Sequence, residues 1–95
     1  MRVSIATVST KNASRYLREL CRHWGSHFTV IFNDHRGTVD FGDAQIVELA
    51  ATENLLEITI LDGQGTRLPE LEKIVVEQLE CFSYKEQLNF EWISR

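Results

Sequence analysis

At 95 residues, 43% hydrophobic and 25% charged, the chain has the size and make-up of one globular domain rather than a disordered or multidomain protein. No apolar run approaches the roughly 20 residues of a membrane span, and a net charge of −4 argues against a general nucleic-acid binder, whose surface is basic. Cys21 and Cys81 are too few and too far apart for a disulfide framework; with MRVSIATVSTKN lacking an export signal's apolar core, free thiols in a reducing cytoplasm are expected.

The charge is unevenly placed. Residues 1–41 carry six Lys/Arg against three acids, and residues 42–95 carry four against eleven. Such a dipolar chain can steer an anionic partner to one side.

In chain order, VSIATV (3–8) is short and β-prone. From Asn12 the period turns helical: Tyr16, Leu17, Leu20, Cys21 and Trp24 share one apolar face. Asn12 or Thr10 is placed to cap this helix, and Gly25 suits a left-handed residue after its end. FTVIF (28–32) reads as a strand, NDHRG (33–37) as a turn, and TVDF (38–41) as the returning strand. AQIVELA (44–50) follows Gly42. After the turn at TEN (52–54), LLEITIL (55–61) alternates like a half-buried strand with one wet face. These four strands are expected to form an antiparallel meander. The glycines at 37, 42, 63 and 65 read as turn residues. Pro69 opens a second helix with the stripe Leu68, Leu71, Ile74, Val75, Leu79 and Phe82. QLNFEWI (87–93) alternates as a closing strand.

The order β-α-β-β-β-β-α-β predicts an α+β fold: a two-layer sandwich, mostly antiparallel, with both helices on one face and a single domain over 1–95. The helices and the sheet must hide their apolar sides against each other.

CRHWGSH (21–27) is the most chemically suggestive stretch. Zinc ligands must converge within about 2.0–2.3 Å of one point. At about 100° per residue, Cys21 and His23 leave a helix roughly 200° apart. His23 and His27 have a workable i, i+4 spacing, but Gly25 lies between them. The favoured reading is structural: Cys21 a small buried hydrophobe, Trp24 filling the core, His23 near the helix C-terminus. A metal- or thiol-dependent enzyme using Cys21, His23 and His27 is the competing one. No Ser-His-Asp, HExxH, phosphate-cradling, flavin or nicotinamide pattern occurs, so neither a resident metal nor a cofactor is expected.

Lys11, Arg15, Arg18 and Arg22 recur at i, i+4, i+7 and i+11. They form a cationic stripe within about 60° of arc, bordered only by Glu19. It reads either as a solvated outer face or as a docking surface for an anionic ligand or an acidic protein patch. A third class of reading is a subunit that forms a homodimer through an exposed sheet edge or the wet sheet face.

YLRELCRHWGSHF (16–28), RGTVDFG (36–42), LEKIVVEQLECF (71–82) and KEQLNFEW (85–92) resemble, in this order, the bacterial domain-of-unknown-function family 2218. The resemblance implies a small cytoplasmic protein without an established activity. Similar segments occur joined to, or encoded beside, siderophore-interacting flavin-dependent ferric reductases, which implies an accessory role in iron utilisation. The family pattern has Cys21, His23, an aromatic at Trp24 and either His or Lys at position 27, which weakens a metal reading of His27. Gln78 stands where relatives often carry His. The combined expectation is a non-enzymatic binding module. Its basic helix face, together with a His23/His27/Arg36 edge, would recruit an anionic ligand or a partner such as a siderophore-related reductase.

Overall fold

The computed structural model describes residues 1–83 and 86–94. Among these residues eight elements follow in chain order: β1 (Arg2–Ser9), α1 (Ala13–Trp24), β2 (Thr29–Phe32), β3 (Arg36–Gly42), β4 (Gln45–Ala51), β5 (Leu55–Asp62), α2 (Leu68–Phe82) and β6 (Trp92–Ser94). The strands form one antiparallel sheet in the order β2-β3-β4-β5-β1-β6. The expected meander is β2 to β5. The first strand joins its far side, with Arg2–Ser9 running along Leu55–Asp62, and the last pairs three residues with Ser4–Ala6.

One sheet face is covered. α1 lies over β2–β5, α2 over β5 and β1, and the helices touch each other. Alternation places Val39, Val47, Ile58, Ile60 and Val8 under them. They meet Tyr16, Leu17 and Leu20 of α1 and Leu71, Val75 and Leu79 of α2. Each fully buried Leu or Ile contributes about 1.5–3 kcal/mol relative to leaving it in water. Every residue of the predicted α1 face is buried. In α2 the stripe holds except at Ile74, which is 40% exposed.

Several local expectations change. Asn12 makes no side-chain cap; instead Thr10 Oγ1 accepts the Asn12 N–H at 3.0 Å, holding the turn that leads into α1. Gly25 is right-handed, at φ −63° and ψ −17°. Its N–H donates to Cys21 O, and the winding runs on until Phe28 N–H donates to Trp24 O. A Cβ on Gly25 would come within 2.9 Å of Cys21 O, so crowding, not handedness, selects glycine there. Gly37 is a strand residue, not a turn residue. It lies directly beneath α1, where a Cβ would meet Cys21 Sγ at 2.7 Å. The β3–β4 turn instead bends on Asp43 and Ala44, at φ 55° and 61°, the paired positive values of a tight twisted hairpin.

The closing strand is shorter than its alternation suggested. Leu88 is buried and Phe90 and Trp92 are half-buried against the core, while Asn89 and Glu91 are exposed. Among the described residues of this segment, only Trp92–Ser94 pairs with the sheet.

Candidate functional site

The basic stripe is a real surface feature built on α1. Arg15, Arg18 and Arg22 project from the side opposite the buried face, and Lys11 sits in the turn before the first helical residue. Two of the four are already engaged. Arg15 Nε lies 3.9 Å from Glu19 Oε1, and its guanidinium carbon is 5.2 Å from the Tyr16 ring centroid. Arg18 Nη1 lies 3.4 Å from Asp34 Oδ1 in the β2–β3 turn. Ser14 ties the same turn to α1, donating to Asp34 O at 2.7 Å. Exposed pairs of this kind contribute about 0–1 kcal/mol, so they leave the cations open to a competing anion. Among the described residues, Lys11 and Arg22 have no ion-pair partner within 4.0 Å. Arg22 in the last turn also complements the helix dipole.

The His23/His27/Arg36 edge does not assemble. His23 is exposed and sets its ring edge-on to Phe82 of α2, centroids 6.1 Å apart. His27 lies one turn past α1, edge-on to Phe28 at 6.4 Å, at an open cleft lined by Thr29, Asp40, Phe41 and Gly42. Arg36 points from the opposite face of the sheet, among Thr38, Glu48 and Glu57.

The triad Cys21, His23 and His27 is likewise dispersed. Cys21 is wholly buried against the sheet, and burial pushes its thiol pKa up to about 11. A buried thiol of raised pKa is inert. Trp24 is 4% exposed and packs edge-on to Phe41 at 5.2 Å. Among the described residues, no three His, Cys, Asp or Glu side chains are grouped to hold a metal ion.

Cys81 is the accessible thiol, to which the sequence alone assigns no role. It is exposed where the C-terminal ends of α1 and α2 meet, in an open groove with Glu19, Arg22, His23 and Phe82. Its place in the α2 pattern, one position off the apolar stripe, was the available signal.

A carboxylate hub at the other end of α1 was also missed. One oxygen of Glu86 accepts from Tyr16 Oη at 2.5 Å, Thr10 Oγ1 at 2.9 Å and Asn12 Nδ2 at 3.2 Å. The Tyr16 hydrogen bond is the main cause holding Glu86 below the usual glutamate range. Burial, then the Glu86 contact, raises Tyr16 above the usual tyrosine value. The hub fixes the chain after α2 to the start of α1. Asp62, buried at the end of β5, plays a similar part for the loop into α2. Its carboxylate accepts from Arg67 N at 2.7 Å, the main cause holding its pKa down, and from Gln64 N at 3.1 Å.

The NMR structure of PA4090 from Pseudomonas aeruginosa is similar to this chain at 31% identity and a TM-score of 0.82, covering 98% of this chain and 96% of that one. No curated protein matches. The family model described as an uncharacterized protein conserved in bacteria (DUF2218) matches residues 5–93. The chain therefore belongs to the DUF2218 family, an uncharacterised family of bacterial proteins.

Proposed function

We propose that the protein is a non-enzymatic binding module whose outer α1 face recruits an acidic protein surface. The observation that carries this reading is the solvent-facing row Lys11, Arg15, Arg18 and Arg22, met among the described residues only by Glu19 and Asp34 at 3.9 and 3.4 Å. The row is convex and about 16 Å long at 1.5 Å per residue. That shape suits a protein surface better than a small anion, which needs donors converging on one point. Exposed cations and acids attract over about a Debye length, so this surface acts through encounter rate and orientation. The family resemblance implies an association with siderophore-interacting ferric reductases, so such a reductase, in the cytoplasm, is the first partner to test. A ferric siderophore is the small-anion alternative.

The test is calorimetry of the wild-type chain and a Lys11→Gln/Arg15→Gln/Arg18→Gln/Arg22→Gln variant. The ligands are a purified siderophore-interacting reductase and a ten-residue polyglutamate peptide, each at low and high salt. Circular dichroism melts confirm that the variant is folded. Binding of the reductase that weakens at least tenfold in the variant and in high salt supports the proposal. Binding of polyglutamate alone retains the acidic-surface reading and removes the iron link. Binding insensitive to both the substitutions and salt overturns it, as does no binding of either ligand.

A further inference from the structure

The sheet face turned away from the helices carries a second surface with the opposite charge. Register places Ile46, Leu61 and Val3 side by side on β4, β5 and β1. One row along, Ile5 stands beside Ile93 of β6. Ile93 is 66% exposed, and the other four are half-buried. The seam crosses four strands, about 14 Å, and two rows, about 7 Å. Isolated exposed aliphatics need no explanation, whereas these five are contiguous and rimmed by charge, as interaction surfaces are.

The rim is acidic. Asp40 continues the Ile46 row on β3, Glu48 pairs with Thr59 in the Ile5 row, and Glu57 lies one row further. Among the described residues, Arg36 is the cation on this face, and neither Glu48 nor Glu57 has an ion-pair partner. Two such faces brought together would gather three carboxylates for each Arg36, an excess of like charge that disfavours a second copy as the occupant. The α1 face of another copy supplies cations but has no apolar residue outward to fill the seam.

We propose that this open sheet face docks a basic amphipathic helix of another protein. Apolar residues at i, i+3, i+4 and i+7 lie on the seam, and Lys or Arg along one flank meets Asp40, Glu48 and Glu57. The seam is about as long as two and a half turns of helix at 5.4 Å per turn. The helix forms a third layer, on the side opposite α1 and α2. This surface is independent of the α1 stripe and selects a partner of the opposite charge.

The test is a nitrogen-15 NMR titration with a 14-residue amidated helical peptide of Leu and Lys in amphipathic order. Controls are a scrambled peptide of the same composition and an analogue with Glu for Lys. The expected result is perturbation centred on Val3, Ile5, Ile46 and Leu61. Affinity should fall at least tenfold for Glu48→Lys/Glu57→Lys, with α1 resonances unchanged, and the scrambled and Glu peptides should bind at least tenfold more weakly. Perturbation centred on the acidic outer side of α2 (Glu70, Glu77) overturns the proposal, as does equal binding of the scrambled peptide. Concentration-dependent mass in light scattering that the Lys substitutions abolish assigns the face to a second copy and overturns it as well.

Discussion

Glu86 makes its strongest contact with a residue 70 positions earlier, and that contact can be measured on its own. Tyr16 is fully buried, and its hydroxyl donates to Glu86 Oε1 at 2.5 Å. A hydrogen bond to a charged group is worth about 1.5–3 kcal/mol. Because Glu86 is only half-buried and keeps Thr10 and Asn12 as donors, the lower part of that range applies. Tyr16→Phe and Glu86→Gln are each expected to cost about 1–2 kcal/mol, with a coupling of about 1 kcal/mol in the double-mutant cycle. For a domain of this size each kcal/mol moves Tm by about 4–8 °C. Urea unfolding at several pH values reads both quantities. Glu86 has a lowered pKa in the folded chain, so its contribution is complete above the ordinary glutamate pKa and is lost as pH falls through the folded value. Tyr16 is raised, so its contribution is complete below the ordinary tyrosine pKa and is lost as pH rises through the folded value. Strictly additive single mutants at pH 7, or a coupling that survives in acid, would refute the clasp.

Other consequences follow from close packing, turn strain and thiol burial. Gly37→Val drives a side chain into Cys21 and Leu17, and is expected to cost about 1–3 kcal/mol in chemical denaturation; a neutral substitution would contradict the approach of β3 to α1. Ala44 holds φ 61° without being glycine, so Ala44→Gly should raise stability by about 0.5–1 kcal/mol, the left-handed cost less the entropy of glycine. A lowered midpoint would show that the turn is unstrained. In the native protein iodoacetamide should modify exposed Cys81 and spare buried Cys21, a pattern that mass spectrometry reads directly. With its thiol raised to about 11, Cys21 contributes stability that is complete below the ordinary thiol pKa and lost as pH rises through about 11.

Periodicity reports which side of an element is buried, and that much could be read directly. Tyr16, Leu17, Leu20, Cys21 and Trp24 were visible as one face because a helix repeats every 3.6 residues, and all five are buried. The same signal misled over residues 87–91. Leu88 and Phe90 do turn inward, but alternation cannot say whether a neighbouring strand supplies hydrogen bonds, and among the described residues only Trp92–Ser94 reaches Ser4–Ala6. Gly37 looked like a turn because glycine has two uses, and only the position of α1 above it separates them. Contacts between distant residues left no local trace: Ser4 donates to Glu72, and Glu86 gathers Thr10, Asn12 and Tyr16. The candidate site divides in the same way. The α1 stripe depends on one helix and was readable from spacing, whereas the Ile46–Leu61–Val3 seam depends on the register of three strands. The proposed edge failed to form because Arg36, next to inward-facing Gly37, points to the other side of the sheet.

Recognition through the outer α1 face is tested most directly by mapping where an acidic ligand lands. Titration of nitrogen-15-labelled protein with the ten-residue polyglutamate peptide is predicted to move the amides of residues 11–23 most. The effect should fade with salt and vanish in the four-Gln variant. Perturbation centred on the His27–Asp40–Phe41 cleft or on the open sheet face, or an unchanged response in the variant, would contradict the account.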